Sequence, residues 1–288
     1  MDVMHHRKLR LAPWALLAVS ASWGMAFVVM KDPIEKQNVN SFLFTRFALA
    51  VLVMVALKPT VLTRITREIL IKGVAAGLFL GTGYIFQTLG LKLVGAAITG
   101  FVTGLYVVAT PLIAWIVLRH KITVYTWLCV ALATAGLTLL SFTGMHSGEG
   151  ELLVLVSAIA FGAHIVALSQ WSNGLDAYAM TIVQLTVAGV MSAIATIFEG
   201  GYQAPPDFGV WGSIIFTAVF CTAVAFIVQT WAQAHMNHTK VAIILTMEIV
   251  FAALFAVIFS GEVLTSRIAL GGLLVMIAMY VLVLREHD

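Results

Sequence analysis

Three ionisable side chains stand inside long apolar runs: Arg46, His164 and Glu248. Keeping such a group in hydrocarbon is costly, so each is a candidate for function. Glu248 can carry a proton or pair with the amine of a solute. Its plainer reading is a carboxyl held in hydrogen bonds between helices. His164 shares a helical face with Ser157, Phe161 and Trp171, where a neutral imidazole both donates and accepts. It suits a cavity lining or an interhelical hydrogen bond. Arg46 lies near enough to the end of its run for its head to snorkel, so it either binds a carboxylate or anchors the helix, alone or paired with an acidic residue outside.

Neutral polar groups follow helical spacing. Thr99, Thr103, Tyr106 and Thr110 place four hydroxyls on one helix face, which points that face toward protein or water rather than lipid. Gln87 and Gln229 are amides that either hydrogen-bond a substrate or lock helices together. Trp23, Tyr84, Tyr106 and Phe161 offer aromatic faces to a flat apolar solute, with core packing as the commoner use of such residues. Ahead of the hydroxyl stripe, Gly73, Gly77 and Gly81 recur every four residues. That spacing leaves a nearly bare backbone face for close helix packing.

The elements that carry these groups are membrane helices. Of the residues, 61% are hydrophobic and 10% charged, with mean hydropathy +1.03, whereas a soluble chain carries about 25% charged residues. Crossing the hydrocarbon takes roughly 20 helical residues, and ten apolar runs are present. They cover Leu11 to Val29, Phe42 to Leu57, Leu70 to Leu91, Ala96 to Leu118, Val124 to Phe142, Leu152 to Ser169, Ala177 to Phe198, Phe208 to Ala234, Thr239 to Phe259 and Ile268 to Leu284. The first is too long for a signal-peptide core and is expected to remain as a span. Pro111 is expected to kink the fourth span.

The net charge of +3 is spread over span ends rather than gathered in a patch, which argues against a nucleic-acid partner. With the first tail inside, eleven Lys and Arg fall on inner segments against four on outer ones, so both termini are expected in the cytoplasm. Cys129 and Cys221 sit in apolar runs without ligand spacing and read as small packing residues, so no metal or other cofactor is expected.

The chain also resembles itself. Tyr84-Ile85-Phe86-Gln87-Thr88 returns as Phe226-Ile227-Val228-Gln229-Thr230, and the same offset pairs Tyr106 with Glu248, Thr123 with Thr265 and Leu128 with Leu270. A slightly shorter offset pairs Val19, Trp23, Gly24 and Arg46 with Ser157, Phe161, Gly162 and Gln184. The difference is absorbed by an irregular stretch from Glu199 to Asp207. Two five-span repeats follow, 1–145 and 146–288, and an odd span count turns the second upside down. Inverted repeats put a shared site near the midplane and supply two access states from one architecture.

The Trp23-Gly24 pair, Arg46, the run from Gly100 to Trp115, Glu248 and Gly261-Glu262 resemble the EamA branch of the drug/metabolite transporter superfamily. The resemblance covers nearly the whole chain. It implies a ten-helix, all-α bundle with a central cavity, in the bacterial inner membrane, exporting small metabolites such as amino acids, with aromatic amino-acid exporters the nearest likeness. His120 stands where many relatives carry Glu, and Ile249 where many carry Pro.

The expected activity is therefore secondary transport by alternating access, not catalysis, with a small-molecule substrate, the lipid bilayer and possible coupling protons as partners. The site is expected at Trp23, Tyr84, Gln87, Thr103, Tyr106, Phe161, His164, Gln229 and Glu248, with Arg46 beside it. An intramembrane enzyme or a channel is the alternative. No HExxH or Walker A sequence is present, and no filter-like segment appears.

Overall fold

The computed structural model describes residues 2–119, 124–141, 148–171, 174–233 and 238–285. His120, Thr123, His235 and the 145/146 repeat boundary lie outside them. Every regular element among the described residues is helical. Helix α1 runs Asp2–Lys36 and α2 Val39–Leu57. After the short 3-10 turn Pro59–Arg64, α3 runs Arg67–Leu93. Then come α4 Ala96–Thr103, α5 Tyr106–Leu118 and α6 Val124–Ser141. The second half holds α7 Glu149–Trp171, α8 Ala177–Ala195, α9 Phe208–Ala218, α10 Ala225–Gln233, α11 His238–Ser260 and α12 Ser266–Arg285.

Seven of the described helices or helix pairs are long and apolar enough to cross a membrane, and three shorter apolar helices accompany them, Val124–Leu139, Ile244–Ser260 and Ser266–Val281. At 27 residues, α3 measures about 40 Å, so it tilts within or protrudes from a hydrocarbon core about 30 Å thick. One end gathers the α2–α3 and α7–α8 connections, where Arg64 pairs with Asp176 at 3.2 Å. The other gathers the ends of α1, α3, α8 and α11.

Local chemistry sets the helix limits. Thr66, Asp176 and Asp207 each accept backbone N–H groups at a helix start, from Ile69, from Tyr178 and Ala179, and from Val210, satisfying donors that otherwise lack partners. Between α8 and α9 the chain turns through Gly200 and Gly201, at φ +89° and +103°, backbone that favours glycine. This is the irregular stretch expected there.

In the core α3 packs on α7 and α8, α1 on α11, α6 on α12, and α2 on α8. The glycine face of α3 does the work its spacing suggested. A Cβ at Gly73 would lie 2.8 Å from Val183, one at Gly77 2.7 Å from Val187, and one at Gly81 2.6 Å from the Met191 sulfur. In lipid, helix association rests on such close backbone approach rather than on expelling water.

The fourth span is interrupted ahead of its proline. Its interruption falls at Gly104-Leu105, between α4 and α5, while Pro111 sits within an unbroken α5. Leu105, Val107 and Val108 donate to carbonyls three residues back, those of Val102, Gly104 and Leu105, at 2.9–3.1 Å. These tighter turns absorb the break. Glycine fits because α11 and α12 press on this point, where a Cβ on Gly104 would stand 3.0 Å from Met279.

Candidate functional site

The site grows from an irregularity in the eighth span. Between α9 and α10, residues Val219–Val224 form a π segment, a wide turn that frees backbone and side-chain groups for other partners and recurs at functional sites. Thr222 Oγ1 donates to the Thr217 carbonyl at 2.9 Å and accepts from Arg46 Nε at 3.1 Å. The neighbouring Cys221 carbonyl accepts from Trp23 Nε1 at 2.8 Å, and Cys221 Sγ donates to the Ser22 carbonyl at 3.1 Å. One turn thus ties α1 and α2 to the eighth span.

Arg46 is 2% exposed. Rather than snorkelling toward an acidic outer residue, its side chain stays among the helices. Its Nη1 donates to the Met30 sulfur at 3.3 Å, and the guanidinium lies 5.0 Å from the Tyr84 ring centre and 5.7 Å from that of Phe47. Ring faces attract cations. Among the described residues no carboxylate comes within 4.0 Å of it. The anchoring and acidic-pair readings are thereby corrected: van der Waals packing and neutral acceptors hold this cation deep in the bundle.

From Arg46 an aromatic series crosses three helices. Phe47 meets Tyr84 edge-on at 5.1 Å, and Tyr84 meets Phe161 edge-on at 5.3 Å, the favoured arrangement for ring quadrupoles. Phe161 fits because Gly83 offers bare backbone: a Cβ there would lie 2.5 Å from the ring. Trp23, Tyr84, Tyr106 and Phe161 are all half-buried.

Glu248 stands near the middle of α11, half-buried. Its backbone carbonyl backs onto Gly24, where a Cβ would come within 2.9 Å. The Glu248 backbone therefore sits at the level of Trp23, whose indole reaches the Cys221 carbonyl beside Thr222. Among the described residues no hydrogen bond or ion pair engages the Glu248 carboxyl.

Other expected residues are occupied in packing. Gln87 Nε2 donates to Thr103 Oγ1 at 3.1 Å, a buried link between α3 and α4. His164 Nε2 meets Gln184 Oε1 at 2.5 Å, both buried, so the imidazole makes the interhelical hydrogen bond. In the hydroxyl stripe, Thr99 and Thr110 donate to their own helix at Gly95 and Tyr106. Gln229 is half-buried on α10. No group of three His, Cys, Asp or Glu suited to a metal ion stands together among the described residues.

Sequence reasoning did not single out Met30, Phe47 and Thr222, which hold Arg46. Met and Phe carry no polar signal in an apolar run, and a lone mid-span Thr is ordinary. Lys31 lies within α1 and donates to the Leu91 and Val94 carbonyls at 2.8 and 2.6 Å, ending α3. Opposite it, Glu262 accepts from the Ala96 and Ala97 N–H groups at 2.7 and 3.3 Å and so starts α4. The α3–α4 turn is therefore stitched to both α1 and the loop after α11.

Outside the spans, two carboxylates are held below the ordinary Asp range. Partial burial works against Asp176, yet hydrogen bonds from the Ala179 N–H and Arg64 outweigh it. Asp207 is held down chiefly by the Val210 N–H.

A model of the EamA-like transporter family matches residues 10–142 and again 148–284. A protein of Archaeoglobus fulgidus named an uncharacterized transporter is 30% identical over 275 residues, covering 95% of this chain and 86% of its own. A second uncharacterized transporter from the same organism is 23% identical, covering 94% and 98%. One solved protein crystal structure superimposes with a TM-score of 0.61 at 16% identity, covering 96% of each chain. That likeness concerns the fold alone.

Proposed function

The chain belongs to the EamA-like transporter family and is a multi-pass membrane transporter, and from that premise we propose that it exports small metabolites, neutral and aromatic amino acids foremost, by alternating access. The observation that carries this reading is the convergence of Arg46, Tyr84, Phe161, Trp23 and the π segment at Cys221-Thr222, drawn from both halves of the chain, on one interior region. Aromatic faces there suit an apolar side chain, and mid-span charges suit the polar end of a solute.

The seven long and three shorter apolar helices serve as ten spans, in two inverted repeats of five. The packing supports this. A Cβ on Gly24 would lie 2.7 Å from the Ala252 nitrogen, and one on Gly162 would lie 3.2 Å from the Thr110 nitrogen. Gly24 corresponds to Gly162, and Ala252 to Thr110, so the two contacts are one contact repeated. The family model's match to each half supports the same division. Charge distribution supports cytoplasmic termini, and the membrane we assign is the bacterial inner membrane. Protons are the candidate coupling ion, with Glu248 to receive them.

Counterflow in proteoliposomes tests the proposal. Preloaded unlabelled phenylalanine is expected to drive saturable, competable accumulation of labelled phenylalanine. Flux that rises linearly with concentration would mean a channel, and chemical conversion of the solute would mean an enzyme.

A further inference from the structure

Side chains join the α1–α2 turn to the loop that follows α8. Asn38 Nδ2 donates to the Glu199 and Gly201 carbonyls at 2.9 and 3.4 Å, and its backbone N–H donates to Gln203 Oε1 at 3.0 Å. The Asn40 N–H donates to Glu199 Oε2 at 3.2 Å, and the Gln203 N–H donates to Ser41 Oγ at 3.0 Å. Thr45 and Tyr202 share a hydrogen bond between hydroxyls at 3.1 Å, and Lys36 pairs with Asp207 at 3.4 Å. Within the same turn lie polar atoms that nothing satisfies. Both ends of the Gln37 amide, and Asn40 Oδ1, have no hydrogen-bond partner among the described residues, although Gln37 and Asn40 are each only 4% exposed.

We propose that this seam is a loaded latch: its bonds hold shut one end of the bundle that the unsatisfied Gln37 and Asn40 groups drive open. The proposal rests on the transport reading above and adds what controls opening at that end. A buried amide that forms no hydrogen bond has lost its water without replacement, which destabilises the state that buries it. Gln37 forgoes an NH2 donor and a carbonyl acceptor together, and opening returns both to water. Against this stand the bonds across the seam. The Lys36–Asp207 pair is nearly half exposed at both partners and adds little, so Asn38, Glu199 and Gln203 carry the restraint. Asn38 is free for this work because, as the residue that starts α2, its side chain makes no bond to its own helix.

The opposite end carries the twin of this seam. The offset that pairs Arg46 with Gln184 also pairs Asn38 with Asp176 and Asn40 with Tyr178. Asp176 starts α8 as Asn38 starts α2. It reaches Arg64, at the end of the 3-10 turn that follows α2, at 3.2 Å. The loop that Asn38 reaches likewise begins with a 3-10 turn, Thr196–Glu199, directly after α8. Tyr178 Oη adds a hydrogen bond to the Met54 carbonyl at 2.7 Å. Each helix of the α2–α8 pair therefore docks its start on the exit of the other, with one seam at each end.

The twins differ in what they restrain. Asp176 caps its own helix through the Tyr178 and Ala179 N–H groups while it holds Arg64. Among the described residues the unsatisfied buried side-chain atoms all belong to Gln37 and Asn40, so the Asp176 seam has no such group pressing against it. Only the α1–α2 seam is loaded. With the termini in the cytoplasm this is the outer end, the side on which an exported solute is released.

The test is hydrogen exchange on the full-length protein in liposomes, read at residues 36–41 and 199–203, with phenylalanine counterflow measured on the same preparations. Asn38→Ala cuts the latch and is expected to speed exchange at both segments roughly fivefold, the scale of one net hydrogen bond. Gln37→Leu keeps the bulk but removes the unsatisfied amide. It is expected to act in the opposite sense, slowing exchange about fivefold and raising the melting temperature. In the double variant the latch is cut but has less to hold, so exchange returns toward the wild-type rate. An amide that merely supports the turn behaves otherwise: faster exchange or earlier melting in Gln37→Leu overturns the proposal, as does an unchanged rate in Asn38→Ala. Should Asn38→Ala fail to fold, Gln203→Ala in the exposed loop replaces it under the same criterion. Saturable counterflow by wild type with the wrong exchange signs removes the latch and leaves the transporter. The expected signs without saturable counterflow remove the transport reading and leave the latch.

Discussion

Arg46 Nε and Thr222 Oγ1 stand 3.1 Å apart, joining a cation on α2 to the π turn of the eighth span. Thr222→Val keeps the side-chain shape but leaves a buried guanidinium N–H without its acceptor. The expected loss is about 1–3 kcal/mol, read as a lower melting temperature in detergent. Thr222→Ser, which retains the hydroxyl, is expected to melt close to wild type.

The α3–α8 contact offers a second check. Gly81→Leu drives a branched side chain into Met191 and Ala188, and overpacking of this kind costs about 1–3 kcal/mol or more. Counterflow is expected to fall sharply. Leu78→Ala, on a lipid-facing position 48% exposed, serves as the control and is expected to transport normally. Full activity in Gly81→Leu would show that the close approach is dispensable.

Lys31 and Glu262 make a prediction about opening. Glu262→Ala removes the acceptor for the Ala96 and Ala97 amides, and Lys31→Met frees two carbonyls at the end of α3. Each is expected to speed hydrogen exchange at residues 94–99 while leaving the Arg64–Asp176 end unchanged. Equal protection at 94–99 in the variants and wild type would mean the stitch does not restrain the turn.

Acid stability has a defined sign. Asp176 and Asp207 are held below their ordinary range in the folded chain, so each adds stability above the unfolded Asp pKa of about 3.9. That contribution is lost as pH falls through the lowered folded value. The expectation is a melting temperature that declines with acidification below about pH 4, and less steeply in Asp176→Asn and Asp207→Asn.

Much of this architecture was readable from residue types alone. The apolar runs announced the helices, because hydrocarbon demands about twenty residues without charge. The spacing of Gly73, Gly77 and Gly81 announced a face for close helix packing, since every fourth residue shares a helix face, though not that α8 would fill it. Glu248 and Arg46 declared themselves by the cost of their charge. What could not be read is how helices rotate against one another. His164 with Gln184 and Gln87 with Thr103 are links between separate elements that no local pattern encodes. The break at Gly104 lies where α11 and α12 approach the backbone closely, a tertiary setting. The π turn likewise meets Arg46 and Trp23 from other spans.

The π turn and the Gly104 break acquire a common meaning on the inverted-repeat reading. The counterpart of the π turn lies in α3, which is unbroken from Arg67 to Leu93, and the counterpart of the Gly104 break lies in α11, unbroken from His238 to Ser260. Each half therefore carries one irregular span whose twin is regular. A protein that switches sides by exchanging the shapes of its halves would begin and end in states that are not mirror images. Such a carrier rests facing one way, and its empty return journey and its loaded outward journey climb different hills.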